Sequence, residues 1–176
     1  NLNLAFTKTD GVDIELGYKF PLSRVFSRTG GDLSLRLLGT HIGSLDTNNG
    51  IVTVNVIRAE MGQHVGTSLA RILADELEAP WENVRIKHVD SDPKWGLMVT
   101  GGSWSVWQTY PLYSQAGAAG RAALIEAGAT ALGVDPATCT AANGEIVSGS
   151  KKIKYADIVR RGSLSKTYTP EDLAKI

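Results

Sequence analysis

The sequence predicts an α+β fold: a strand, helix, strand, long helix and hairpin, preceded by an antiparallel β-hairpin. Three observations carry that prediction. Apolar residues alternate with period two over residues 12–22, 33–37 and 51–57. They recur at spacings of three and four over residues 65–77. Glycine, proline and an Asn-Gly pair punctuate the chain between these runs.

In the first run Val12, Ile14, Leu16, Tyr18, Phe20 and Leu22 alternate with Asp13, Glu15, Gly17 and Lys19. Pro21 and a Gly-containing stretch end it, and Leu33, Leu35 and Leu37 alternate with Ser34 and Arg36 in the second run. The two runs suit a hairpin with one wet and one apolar face. The turn signal at 47–50 sets the expected boundary, with a hairpin appendage over 1–48 and a second unit over 49–176. Ile51, Val52, Val54, Val56 and Ile57 then mark a strand. Val65, Leu69, Ile72, Leu73 and Leu77 share one face of a helix that Pro80 ends. Val84, Ile86 and His88 lie on one side of a short strand, and residues 90–100 read as a loop. A long helix is expected over 105–132, kinked or interrupted at Tyr110-Pro111 and stopped by Gly133. Its small-residue portion, 115–124, suits close packing on a sheet or another backbone. Asn143-Gly144 predicts a hairpin. A strand over 152–155, a short helix from Tyr155 and a helix start at Thr169-Pro170 complete the chain.

Composition bounds the function. The 176 residues are 43% hydrophobic and 20% charged, ordinary for a globular protein. Lys plus Arg and Asp plus Glu number 18 each, which argues against nucleic acid as a partner. The single cysteine, Cys139, excludes an intrachain disulfide and reads as a small apolar residue. No apolar run approaches the roughly 20 residues of a membrane helix. No signal-peptide pattern is visible, so localisation, periplasmic or cytoplasmic, stays open. A start at Asn1 and an end just past a helix start suggest a piece of a longer protein.

The chemistry-bearing stretch is residues 58–105. Met61-Gly62-Gln63-His64 sits where a strand runs into a helix, and Gly101-Gly102-Ser103-Trp104-Ser105 opens the long helix. Glycine lets backbone N–H groups approach a ligand, and a helix N-terminus adds partial positive charge. Gln63 adds two donor hydrogens and an acceptor without adding charge. The candidate binding residues are therefore Met61, Gly62, Gln63, His64, Gly101, Gly102, Ser103 and Ser105. Each segment alone is also explained by a tight turn or a Ser cap. Neither is a P-loop or a Gly-x-Gly-x-x-Gly motif. His41, His64 and His88 have no metal-ligand spacing, and no metal ligands are assigned. Asp90 and Asp92 read as a solvated turn. Ser103 has no histidine base at motif spacing. Trp95, Trp104 and Trp107 either wall a pocket or fill the core.

Two family resemblances rest on these residues. Segments 11–20 and 31–40 resemble strands of TonB-dependent outer-membrane receptors, which implies a barrel fragment; an ordinary soluble hairpin explains the same alternation. More of the chain is covered by the second. Glu60-Met61-Gly62-Gln63, Val84-Arg85-Ile86, Gly101-Gly102-Ser103-Trp104-Ser105, Ala116-Gly117-Ala118-Ala119-Gly120-Arg121 and Asn143-Gly144 occur in one order. Over about 50–176 this resembles the molybdopterin-binding subunit of the xanthine dehydrogenase and aldehyde oxidase family, especially isoquinoline 1-oxidoreductase beta subunits. The resemblance implies a fragment of a molybdenum hydroxylase acting on an aldehyde or N-heterocycle. It further implies a molybdopterin in dinucleotide form with molybdenum, and [2Fe–2S] clusters on a partner iron–sulfur subunit. The remainder of the molybdenum subunit would supply the family's catalytic glutamate, so no catalytic residue is assigned here and the fragment is expected to be inactive alone. His64 departs from a position where many members have glycine. The competing expectation is a non-catalytic α+β interaction module, whose helix from Gln115 would pack on a partner protein.

Overall fold

A computed structural model describes residues 13–16, 20–21, 32–33, 43–45, 50–161, 165–168, 170–173 and 175–176. Four short strands come first: β1 (Asp13–Leu16), β2 (Phe20–Pro21), β3 (Asp32–Leu33) and β4 (Gly43–Leu45). β2 and β3 pair antiparallel, Phe20 opposite Leu33, at the heart of the expected hairpin. The rest of that hairpin, the turn at 47–49 and His41 lie outside the described residues. β4 pairs antiparallel with β5 (Val52–Val56), so the pairing spans the turn signal at 47–50. β1 pairs in parallel with β10 (Ser165–Tyr168), near the other end of the chain.

β5 is the centre of a three-stranded sheet, between β4 and the parallel strand β6 (Val84–His88). Parallel neighbours need a crossover, and α1 (Val65–Leu77) supplies it. Its buried Val65, Leu69, Leu73 and Leu77 form the predicted face. That face meets Val52, Val54 and Val56, the inward set of β5, and each of these three valines is at most 2% exposed. Burying one such side chain contributes about 1.5–3 kcal/mol. At Gly66 an added Cβ would lie 2.8 Å from Cε1 of the exposed His88 side chain, which covers this glycine where α1 passes β6.

α2 (Ser105–Leu132) runs through Pro111 as one helix, so the expected interruption there does not occur. Proline removes one N–H bond, and Pro111 and the neighbouring Trp107 are both exposed, where water can take the freed carbonyl. The small-residue portion is buried inside this chain rather than offered to a partner. A Cβ at Gly117 would meet the Leu73 carbonyl oxygen at 2.5 Å, and one at Gly128 would meet Ile146 at 2.8 Å. That internal use corrects the expectation that the helix from Gln115 packs on another protein.

The rest forms a brace. β7 (Thr140–Ala142), β8 (Glu145–Ser148) and β9 (Lys151–Lys154) make an antiparallel sheet around the predicted Asn143-Gly144 turn. Gly144 donates to the Glu78 carbonyl at 2.7 Å, which docks the turn on the end of α1. α3 (Tyr155–Arg160) begins with Tyr155, whose buried hydroxyl donates to the Leu77 carbonyl at 2.8 Å. α4 (Pro170–Leu173) starts at the predicted N1 proline.

Candidate functional site

β5 delivers the chain to the site, and Arg58 sets the geometry just beyond the strand. The residue is only 3% exposed. It donates to the Val99 carbonyl and, at 2.7 Å, to Gln108 Oε1. The Ala59 N–H donates to Thr100 Oγ1 at 2.8 Å. Two segments 41 residues apart are thus stitched side by side. Tyr113 of α2 anchors the strand end. Its hydroxyl donates to the Asn55 carbonyl at 2.8 Å and accepts the Ile57 N–H at 3.4 Å. Burial pushes the Tyr113 phenol well above its ordinary range. Burial lowers the affinity of Arg58 for its proton, partly opposed by Tyr113. No carboxylate pairs with Arg58 among the described residues, and its Nε has no hydrogen-bond partner.

The first segment closes on itself. Gly62 has φ +95 and His64 φ +60, both left-handed, and His64 is the N-cap of α1 without a side-chain capping bond. Glu60 caps the helix instead. Its Oε1 accepts from the Gly62 N–H at 2.8 Å and the His64 N–H at 2.9 Å, and Oε2 accepts from the Gly66 N–H at 3.2 Å. Desolvation works against its charge, but the N–H donors of Gly66, His64 and Gly62 outweigh it, and the carboxyl is held below its usual range. Gln63 turns inward: Oε1 accepts the Met61 N–H at 2.6 Å and Nε2 donates to the Ala59 carbonyl at 2.9 Å. One Nε2 hydrogen remains to meet a ligand.

The second segment stays open. Trp104 N–H donates to the Gly101 carbonyl at 3.3 Å across Gly102 (φ +57) and Ser103 (φ +56), the two positive dihedrals of a primed turn. No non-glycine residue adopts that region freely, and Ser103 costs about 1–2 kcal/mol there. Four described non-glycine residues have positive φ. Glu78 and Asn143 are a helix C-cap and the hairpin turn, whereas His64 and Ser103 sit one in each candidate segment. The backbone N–H groups of Gly102, Ser103, Ser105, Val106 and Trp107 have no partner among the described residues. They cluster at the N-terminus of α2, where the helix dipole is positive. Trp104 Nε1 is buried and also lacks a partner.

The two segments converge on one cleft of about 340 Å³. Met61, Gln63, Val65 and Ser68 line one side, and Thr100, Gly101, Gly102, Ser103, Ser105 and Val106 the other. Six of the eight predicted residues are therefore together in its wall, while Gly62 and His64 do not line it. Thr100, which joins the halves, and Arg58 and Glu60, which set them, lie within or at the edge of the stretch singled out in the sequence but are not among its candidate binding residues. No tryptophan lines the cleft; Trp107 is exposed and Trp104 is half-buried behind Gly102. Asp92 caps a single turn, accepting from the Lys94 N–H at 2.9 Å. Cys139 is buried, its Sγ 3.7 Å from the Asp135 carbonyl. Among the described residues no three His, Cys, Asp or Glu side chains gather as a metal site.

Known proteins share both the sequence and the fold. The family model of a molybdopterin cofactor-binding domain matches residues 42–172. The membrane-bound aldehyde dehydrogenase (pyrroloquinoline-quinone) of Gluconacetobacter polyoxogenes is 59% identical over 128 residues, 73% of this chain and 17% of that protein. Isoquinoline 1-oxidoreductase subunit beta of Brevundimonas diminuta is 31% identical over 88 residues, 46% of this chain and 11% of that protein. The crystal structure of quinoline 2-oxidoreductase from Pseudomonas putida 86 matches with a TM-score of 0.55 at 22% identity, over 67% of this chain and 15% of that one, a likeness of fold. The chain thus spans 17% or less of the length of each of these relatives.

Proposed function

The chain belongs to the molybdopterin cofactor-binding domain family, and on that premise we propose that it is one cofactor-facing portion of a molybdenum hydroxylase large subunit. The observation that carries this reading is the cleft, with predicted residues from both segments in its wall. The chemistry of the wall fits the cofactor. A pterin is a neutral ring rich in donors and acceptors, and its phosphate is an anion. The open N–H groups of Gly102, Ser103, Ser105, Val106 and Trp107 suit the phosphate. Arg58 adds a buried positive charge that no carboxylate among the described residues offsets. Met61, the backbone behind it and the remaining Gln63 hydrogen suit the ring.

When bound, the cofactor's molybdenum would accept the two electrons released by hydroxylation of an aldehyde or N-heterocycle. This chain binds and orients; none of its residues is assigned the proton transfer, and Glu60 is committed to the loop by three N–H bonds. The dinucleotide form of the cofactor, [2Fe–2S] clusters on an iron–sulfur partner and the remainder of the molybdenum subunit complete the proposal. One relative's name carries pyrroloquinoline quinone, a tricarboxylate that backbone N–H groups also suit, and this is the second reading.

The test is co-expression with the rest of the subunit, with assay of bound molybdenum and release of the organic cofactor. The expected result is a pterin, and Gly102→Asp should cut metal and pterin content about tenfold, since it sets a carboxylate among the open donors. Unchanged content in soluble Gly102→Asp protein would falsify the placement. A released quinone in place of a pterin would establish the second reading.

A further inference from the structure

Ser105, the first residue of α2, lines the cleft, and Leu132, the last, lines a second groove of about 540 Å³. A helix of 28 residues is about 40 Å long, so the two lie at opposite ends of it. The groove is basic. Lys152 and Lys154 of β9 line it with Arg160, the last residue of α3, and Arg161, its C-cap. Two acids, Glu145 and Asp157, share the wall, and both are paired there. Lys152 Nζ lies 3.3 Å from Glu145 Oε2, and Arg160 Nη1 lies 2.7 Å from Asp157 Oδ1. Lys154 stands opposite Glu145 in the β8–β9 register, yet that carboxylate turns to Lys152. Lys154 and Arg161 are exposed and have no ion pair among the described residues. The whole chain balances 18 cations with 18 anions, so this excess is local. β9 is the outer strand of its sheet, and lysines on such a strand discourage stray pairing. That role accounts for the β9 lysines but not for Arg161, which α3 brings to the same groove.

The lining selects the occupant. Leu132 and Ile153 add apolar surface, and the two built-in carboxylates repel a dense anion such as phosphate. An acidic peptide, with carboxylates spaced along it and apolar groups between them, matches that alternation. None of the exposed large hydrophobic residues described lies in the groove. A separately diffusing partner needs an apolar centre to its interface, whereas exposed ion pairs contribute only about 0–1 kcal/mol each. Contacts that weak serve a segment held nearby by the same polypeptide, where the effective concentration is high. This chain spans 17% or less of the length of its relatives, so most of such a polypeptide lies outside it. We infer that the groove is a docking surface for an acidic segment of the remainder of the subunit, whose carboxylates meet Lys154 and Arg161. The inference rests on the reading of this chain as one portion of a larger subunit, and not on which cofactor the cleft holds.

Carbodiimide coupling of the co-expressed subunit tests this. The reagent joins a lysine to a carboxylate in contact with it as an amide, and takes up the water released. Lys152 should couple to Glu145 in every preparation, an internal control. Lys154 should couple to an Asp or Glu of the remainder of the subunit, identified by mass spectrometry of the joined peptides. Arg161→Glu reverses an exposed charge and should lower the Lys154 coupling about fivefold, and about 0.5 M salt should do the same. Pterin content should stay at the wild-type level in Arg161→Glu, because the cleft lies at the other end of α2. Lys154 coupled only within this chain, only to a second copy of it, or not at all would overturn the inference. So would coupling indifferent to Arg161→Glu. Sedimentation with phosphatidylglycerol vesicles that Arg161→Glu abolishes, without the Lys154 coupling, would overturn it in favour of a lipid surface. Coupling as expected in a subunit that releases no pterin would count against the cofactor reading and uphold the docking.

Discussion

At Gly101 the chain has ordinary backbone geometry and open space: no positive φ, and nothing within 4 Å of an added Cβ. Gly101→Ala should therefore leave thermal stability within about 0.5 kcal/mol of the wild type. It should nevertheless lower cofactor retention, because a methyl group enters the cleft wall where a ligand approaches the backbone. A thermal melt and a pterin assay on the same preparation separate the two effects. Retention equal to the wild type would mean that the ligand does not come near this residue. Gly102 and Ser103 lack that freedom, since both carry positive φ and a substitution there mixes strain with contact. The residue scale is also where the sequence was least complete. Glycines and Gln63 are visible as candidates because their special properties are intrinsic. Glu60 and Arg58 were not, because a carboxylate reads as solvated and an arginine as exposed until their partners are known.

Helix packing sets the distance between the halves of the site. α1 and α2 meet at Gly117, and Ser114 Oγ, three residues earlier, donates to Glu76 Oε1 at 2.9 Å. Replacing Gly117 by Ala drives a methyl to 2.5 Å from the Leu73 carbonyl oxygen, which is backbone and yields little. Overpacking of this kind costs about 1–3 kcal/mol, and urea unfolding should show that loss. A midpoint unchanged from the wild type would mean that the two helices separate without cost. The elements themselves were largely legible: β5, α1, β6, α2 and the Asn143-Gly144 hairpin obey period, glycine and proline signals. At Pro111 the helix continues, with Thr109 before it and Tyr113 after it buried, so tertiary packing of the flanking turns outweighs one lost N–H bond.

For the whole molecule, two buried phenols tie distant parts together. Tyr113 fastens α2 to β5, and Tyr155 fastens α3 to the end of α1. Burial raises both above the ordinary phenol value of 10.0, with Glu78 adding to the effect at Tyr155. A raised folded-state value means that the unfolded chain releases the proton first. The stability these groups contribute is fully present below about pH 10 and is lost as pH rises toward their folded values. Alkaline titration should therefore show exposed phenols ionising first, and a second phenolate rise coinciding with loss of far-UV circular dichroism. A single smooth titration at the ordinary value, with the fold intact, would show that neither hydroxyl is held as described. Tyr113→Phe should shift that alkaline transition upward while loosening the anchor ahead of Arg58.

By itself the sequence determined the elements of the α+β fold, the family likeness and most of the cleft wall. Those rest on local facts: side-chain period, turn chemistry, and the freedom of glycine at a helix start. Only the tertiary structure decided which donors are open. Hydrogen bonding of exposed backbone N–H groups depends on which side chain folds back onto them, and no spacing rule shows that Glu60 takes three in one segment while no side chain takes any at 101–107. The tertiary fold also decided that the small residues of α2 serve the core, because Gly117 and Gly128 are filled by α1 and β8 of the same chain. Periodicity shows that a face is small; it does not say what lies against it.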